Sequence, residues 1–181
     1  MGSIKFSEAC KIFDVIEKTA SRNETTEILA EFFKKLDKKD AQILSYFVLG
    51  RVAPFFVNSE FNYSEKSIIN MLEMYEKVEK KGVNIKKIRE KTGDIGDAVY
   101  EVLSVSDIKG DSLSLEYIYE ELWKIVNTSG NGSVESKNTI ILRVLKSLSP
   151  LEAKYFFRIV CGSLRFGINY RTLLDVFSYV I

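Results

Sequence analysis

The sequence predicts an all-α fold of roughly ten helices. Apolar residues recur at three- and four-residue spacing along nearly the whole chain, only two prolines interrupt it, and little of the Thr/Val alternation that marks strands is present. With 181 residues, 46% of them hydrophobic, the chain can enclose a real core, as one compact domain over residues 1–181 or as two helical lobes sharing a boundary.

Ala9, Ile12, Phe13, Ile16 and Ala20 make the apolar stripe of a first helix that Ser7 can cap. A second runs from about Thr25 to Leu36 with Ile28, Leu29, Phe32, Phe33 and Leu36 inward. A third runs from about Lys39 to Leu49 and stops at Gly50, whose missing Cβ suits the left-handed position past a helix end. These three are expected to form a hairpin-like first layer. Pro54 then breaks the pattern. Phe55, Phe56 and Phe61 make the next loop too apolar to stand in water, so it is expected to pack onto the core. Ser64 caps a helix carrying Ile68, Ile69, Leu72, Tyr75 and Val78, which fades into the charged run Lys77 to Lys81, a solvated helix end, and stops at Gly82.

Short helices follow at Asn84 to Lys91 and Asp94 to Leu103, the second capped by Asp94. Ser104 to Ser112 has no periodicity and reads as a surface loop. Ser114 opens a helix to about Val126 with Tyr117, Ile118, Leu122, Ile125 and Val126 inward, and the lone Trp123 reads as a core or hinge residue rather than a base-stacking platform. Past the turn at 128–133, a helix runs through Val144 to Leu148. Ser149-Pro150-Leu151-Glu152 joins a capping box to a first-turn proline, a specific helix start. Its helix turns Ala153, Phe156, Phe157 and Val160 inward and ends at Gly162. The last helix begins near Asn169.

Composition removes several classes of function. With no histidine, a His-based triad, a His general base and a His-containing zinc site all go. Two distant cysteines, Cys10 and Cys161, do not make a disulfide framework and read as buried thiols. No apolar run approaches a membrane span, Met1-Gly2-Ser3 reads as a cloning remnant rather than a leader, and a cytoplasmic protein with no membrane partner is expected. Glu120 and Glu121 lie on a helix with no apolar pocket to raise a carboxyl pKa. Gly130-Asn131-Gly132-Ser133 lacks the lysine of a phosphate-binding Walker loop and follows a helix rather than a strand. No catalytic residue is expected.

What remains is contact with phosphate. Net charge is only +1, but residues 137–181 carry seven basic side chains against two acidic, and the other 136 residues carry 19 against 23. A neutral chain with one basic end is the footprint of a domain that meets a polyanion with one face, although solvated helix faces produce the same count by chance. The turn Thr128-Ser129-Gly130-Asn131-Gly132-Ser133 opens a helix, and helix starts leave backbone N–H groups that favour an anion. From geometry alone, a plain inter-helix turn explains Gly130 and Gly132 at least as well. The candidates for phosphate contact are the hydroxyls of Thr128, Ser129 and Ser133, the amides at Gly130 and Gly132, and the cations of this end, Lys137, Lys154, Arg158, Arg165 and Arg171 among them, with no metal ligand.

Thr128 to Ser133 with Lys137, Ser149-Pro150-Leu151-Glu152-Ala153-Lys154-Tyr155 through Arg158-Ile159 and Gly162, and Leu164-Arg165-Phe166-Gly167-Ile168 closely resemble the amino-terminal DNA-binding domain of archaeal and eukaryotic-type ATP-dependent DNA ligases. Lys5-Phe6-Ser7-Glu8, Gly50-Arg51-Val52-Ala53-Pro54 and Thr92-Gly93-Asp94-Ile95-Gly96 extend the likeness over almost the whole chain in the same order. The resemblance implies a helical domain that binds duplex DNA across the minor groove on both sides of a nick, in replication, repair and recombination. It also implies an adenylation domain and an OB-fold domain in the parent chain, which would use ATP and Mg. By position it marks the 129–133 turn, Lys137 and the 165–167 turn as phosphate contacts; Lys154, Arg158 and Arg171 are added from charge and placement. Departures follow. The Lys-x-Asp-Gly adenylation motif is missing, since Lys109-Gly110-Asp111 does not match it, so the chain is expected to be an excised domain, without cofactor, that cannot seal DNA alone. Ser104 to Ser112 lacks the Gln and paired Phe that dock some archaeal relatives on the sliding clamp. Phe61 to Glu65 lacks the glycines that relatives often place there. The competing expectation is a helical protein-interaction domain with an exposed apolar patch near Trp123 or Phe55-Phe56.

Overall fold

A computed structural model describes residues 2–105 and 109–181, leaving the side chains of Glu76 and Lys77 undescribed. Within them lie eleven helices: α1 Phe6–Glu17, α2 Arg22–Phe33, α3 Lys38–Val48, α4 Glu65–Glu73, α5 Glu76–Glu79, α6 Ile85–Thr92, α7 Ile95–Ser104, α8 Leu115–Asn127, α9 Ser133–Leu145, α10 Pro150–Val160 and α11 Tyr170–Val180. The fold is all-α, as the periodicity predicts. Start signals explain most boundaries: the side chains of Ser21, Asp37, Ser64, Asn84, Asp94, Ser114, Ser149 and Asn169 each accept a hydrogen bond from the backbone N–H three residues on. Each such cap stabilises its helix by about 1 kcal/mol. α1 differs from expectation. It begins after Lys5, whose N–H donates to the Glu8 carboxylate at 3.1 Å, and Ser7 lies inside the first turn.

α10 is the axis of the molecule, with every residue from Glu152 to Val160 buried. Its apolar residues occupy all sides, so it needs cover all round. α7 supplies most of that cover and α1 another side, while α11 packs on α2 and α8 lies between α3 and α9. The expected layer of the first three helices is therefore not the arrangement. α1 touches α2, but α2 packs chiefly on α11 and α3 on α8, because each apolar stripe finds its larger partner late in the chain. One contiguous core from Phe6 to Val176 makes a single body rather than two lobes.

Several loops are held more firmly than their sequences suggest. Lys5 pairs antiparallel with Ser114, the Phe6 N–H donates to Leu113 O at 2.8 Å, and the Leu115 N–H donates to Ile4 O at 2.8 Å. Ser3, read as part of a remnant, is built in: its hydroxyl donates to buried Asp40 at 2.6 Å and accepts the Glu116 N–H at 3.2 Å. Ser106 to Ile108, in the unperiodic 104–112 loop, lie outside the described residues, as does the side chain of Lys77 in the charged run. The described part of that loop is tied to the start of α10, where the Asp111 N–H donates to Ser147 O at 2.9 Å.

Two burial expectations are corrected. Cys10 is buried, but Cys161 is exposed at the end of α10, where the helix leaves the core. Phe61 is buried, yet Phe55 is 62% and Phe56 89% exposed. Arg51 accounts for this: its guanidinium donates to the carbonyls of Ala53 (3.1 Å), Pro54 (3.3 Å) and Val57 (3.2 Å) and lies 4.8 Å from the Phe55 ring centre. The loop's inward space is filled by that cation, so its rings turn outward. Among the described residues no helix is long and apolar enough to cross a membrane.

Candidate nucleic-acid interface

The Thr92-Gly93-Asp94-Ile95-Gly96 motif is the hinge pin of the site. Gly93 ends α6 in the left-handed conformation (φ 73°), Asp94 caps α7, and Gly96 leaves room for a neighbour, since a Cβ there would meet Arg158 Nε at 2.7 Å. Arg158 fills that room. It donates to Asp94 Oδ1 (2.9 Å), Glu17 Oε1 (3.1 Å), Asp97 Oδ1 (3.3 Å) and Leu164 O (3.3 Å) and is 2% exposed. Lys154 joins it, 2.9 Å from both Glu17 and Asp97, and the Tyr155 hydroxyl donates to Glu17 at 2.7 Å. Burial alone would raise the Glu17 carboxyl, but hydrogen bonds from Arg158, Tyr155 and Lys154 outweigh it and hold the pKa at about 2. Burial would likewise raise Asp94, and the Asp97 N–H, Arg158 and Arg165 reverse the sign.

Arg158 and Lys154 were expected on a phosphate-contacting face, and in this structure they are internal struts. The periodicity argument placed them one turn apart on one side of α10, which is correct, but that side faces the carboxylates of α1 and α7. Lys137 is also withdrawn. It is 3% exposed, and its Nζ donates to Phe61 O (2.6 Å) and Asn62 O (3.3 Å), with burial lowering its pKa. Beside it Asn138 bonds the Tyr63 hydroxyl. α9 is thereby fastened to the 61–63 segment. Arg143 pairs with buried Glu121, which leaves Lys146 and Arg171 exposed and without an ion pair among the described residues.

The other candidates are on the surface. Ser129, Gly130, Asn131 and Gly132 are exposed, Gly130 (φ 88°) and Gly132 (φ 74°) have open space where a Cβ would stand, and no side chain caps the α9 start. Thr128 and Ser133 flank that turn, half-buried, and the Thr128 hydroxyl is spent on Lys124 O at 2.7 Å. Arg165 sits in the turn after α10 with its backbone in the left-handed region (φ 62°), a strained state for a residue with a Cβ, and Gly167 (φ 68°) follows. One guanidinium nitrogen reaches Asp94 Oδ2 (3.0 Å) and Gly93 O (3.3 Å), and the side chain remains 54% exposed. Asp94 thus aims a surface cation while its other oxygen holds the buried one.

Three clefts that share lining residues adjoin along the end of α10, a trough that the α9 turn does not itself line. Asn62, Tyr63, Ser64 and Glu65 face Val160 and Cys161 across an open cleft of about 710 Å³. Glu65, Cys161 and Arg165 continue it past Arg89, which pairs with Glu65. In the other direction Asn62, Gly50 and Gly162 lead to Phe55. The α9 turn lies five residues before Lys137, about 7.5 Å along the helix from the point where α9 grips the trough wall. Sequence reading missed Arg89 and the outward Phe pair. Arg89 carried no signal beyond an ordinary helix charge, whereas Arg51 beside Pro54 was available as a cue.

The exposed amides of the α9 turn, and a positioned arginine and hydroxyl-bearing loops beside adjoining clefts, are the polar groups this helical domain presents on its surface. Residues 5–178 match the family described as "DNA ligase N terminus", and the chain belongs to that family. It is 36% identical over 174 residues to "Probable DNA ligase" of Dictyoglomus turgidum, covering 96% of this chain and 29% of that protein. It is 30% identical over 176 residues to "Probable DNA ligase" of Persephonella marina, covering 97% and 30%, and 31% identical over 175 residues to "DNA ligase 1" of Methanosarcina mazei, covering 97% and 29%. The chain therefore spans about three-tenths of the length of the curated relatives it matches.

Proposed function

We propose that this chain is the DNA-binding domain of an ATP-dependent DNA ligase of the archaeal and eukaryotic type, gripping nicked duplex through its phosphates and minor groove without reading sequence. The supporting observation is Arg165, strained, half-exposed and aimed by Asp94 beside a trough. Phosphate contacts fix position on a duplex and carry no sequence information. The contact set on this reading is Ser129, Gly130, Gly132 and Ser133 at the α9 start, Arg165 and Gly167, with Arg171 further along. Lys137, Lys154 and Arg158 shape the surface from behind.

The parent protein, cytoplasmic on this reading, brings an adenylation domain as covalent neighbour and uses ATP and Mg there. This chain lacks the Lys-x-Asp-Gly motif, so on this reading the nucleotide chemistry belongs to that neighbouring domain. A sliding clamp is not assigned to the 104–112 loop. A second reading, a helical protein-interaction domain, is favoured by the exposed Phe55-Phe56 pair.

Titration of nicked duplex at several salt concentrations separates them. The slope of log K against log salt is about −0.9 per phosphate neutralised, so a grip on three or four phosphates gives a slope near −3. Two unrelated sequences should bind alike. Binding that ignores salt, or no binding at all, discards the DNA reading in favour of the second.

A further inference from the structure

Phe56 is unlike any other aromatic ring in the chain. At 89% exposure it should be mobile and unfavourable in water, yet its loop is fixed from behind by three hydrogen bonds from Arg51 and by the Arg51 cation over Phe55. Gly50, at the root of the loop, is in the left-handed conformation (φ 66°) and so close to the 162–163 turn that a Cβ would meet Gly162 O at 2.5 Å. The loop is thus clamped to the same turn that leads to Arg165. Phe55 packs edge-on to exposed Tyr170, ring centres 6.3 Å apart, and with Pro54, Phe56 and Leu173 they line an apolar groove of about 370 Å³.

Two features say what covers this groove. Phe55 lines both the apolar groove and the adjoining cleft that carries Gly162 and Cys161, and Cys161 in turn lines the cleft that holds Arg165. Two cations and one carboxylate stand beside the rings: Arg51 lies over Phe55, Arg171, exposed and without an ion pair among the described residues, follows Tyr170, and Glu60 shares the adjoining cleft with Phe55. The faces of stacked bases are apolar and flanked by phosphates, and proteins that bind the minor groove insert apolar wedges between base steps. We propose that Phe56, braced by Phe55 and the Arg51-held loop, is such a wedge, entering the minor groove at the opposite end of the trough from Arg165. The proposal rests on the DNA reading above.

The test uses this chain and a nicked duplex carrying 2-aminopurine at successive positions, whose fluorescence rises when a base step is opened. Wild type, Phe56→Ala, Phe56→Leu, Arg165→Ala and, as a remote apolar control on α1, Val15→Ala are titrated across a salt series. A ring so exposed leaves no cavity when removed, and matching melting curves confirm an intact fold. Phe56→Ala should weaken binding about tenfold at every salt concentration, leave the salt slope unchanged and abolish a fluorescence rise at one site. Phe56→Leu should keep most of the affinity, and Val15→Ala all of it. Arg165→Ala should instead flatten the slope by about one contact. Phe56→Ala binding within twofold of wild type, while Arg165→Ala flattens the slope, overturns the wedge, assigns the groove to a protein partner and leaves the DNA reading intact. A wild-type chain that shows no salt-dependent binding overturns both.

Discussion

Replacing Lys137 with Met tests whether that lysine holds the trough wall or holds DNA. Its Nζ donates to Phe61 O at 2.6 Å and Asn62 O at 3.3 Å in a site 3% exposed. Methionine preserves the stem but removes the charge and leaves both carbonyls without that donor. A hydrogen bond from a charged group contributes about 1.5–3 kcal/mol, the longer contact adds little, and removing the buried ammonium recovers some desolvation. The net loss is about 1–2 kcal/mol, and for a domain of this size that lowers Tm by about 3–6 °C. Differential scanning calorimetry measures it. In parallel, the salt slope of duplex binding should equal that of wild type, because no phosphate contact is lost, while affinity falls modestly as the 61–63 segment loosens. A Tm unchanged within 2 °C together with a slope shallower by about 0.9 would refute the reasoning and return Lys137 to the DNA surface.

Three further outcomes follow from the same contacts. Arg158→Met should destabilise the domain by about 2–3 kcal/mol in urea denaturation, since it removes the buried cation that joins Glu17, Asp94 and Asp97 and leaves Glu17 to Lys154 and Tyr155 and Asp94 to Arg165, and a loss below about 1 kcal/mol would contradict the strut role. Glu17 has its folded pKa depressed from 4.5 to about 2, so its contribution is present in full above about 4.5 and is lost as pH falls towards 2. Melting curves should therefore drop steeply between pH 4.5 and 2, and Glu17→Gln should flatten that part of the profile. Gly50→Ala meets both a left-handed backbone and Gly162 O at 2.5 Å, and should cost more than about 2 kcal/mol by thermal melting, whereas Gly82→Ala, with the same backbone class and open space, should cost about 1 kcal/mol.

Helix order and starts were legible because capping is local: Ser64, Asp94, Ser114, Ser149 and Asn169 each bond an amide three residues away. Partner choice was not, since the pairing of α2 with α11 spans almost the whole chain and leaves no mark in either stripe. The site divides the same way. Glycines at 130, 132 and 167 report a backbone state that sequence reading can infer, and they are exposed as the turn reading requires. A lysine or arginine letter gives charge but not surroundings, so Lys137, Lys154 and Arg158 read as surface cations although carbonyls and carboxylates enclose them. Charge counting therefore overstates the basic face: three of the seven cations at the carboxyl end are internal.

Asp94 carries three duties on one carboxylate, as helix start, as counter-ion to Arg158 and as guide to Arg165. Substitution can separate them. Ser at 94 would keep the hydroxyl-to-amide bond and lose both charge pairs, while Asn would keep the shape and weaken the electrostatics alone. A lineage drifting at this position cannot retune the outer arginine without also disturbing the interior, so the tolerance of residue 94 to change should be narrower than that of Arg165 itself, the side chain that would meet the ligand.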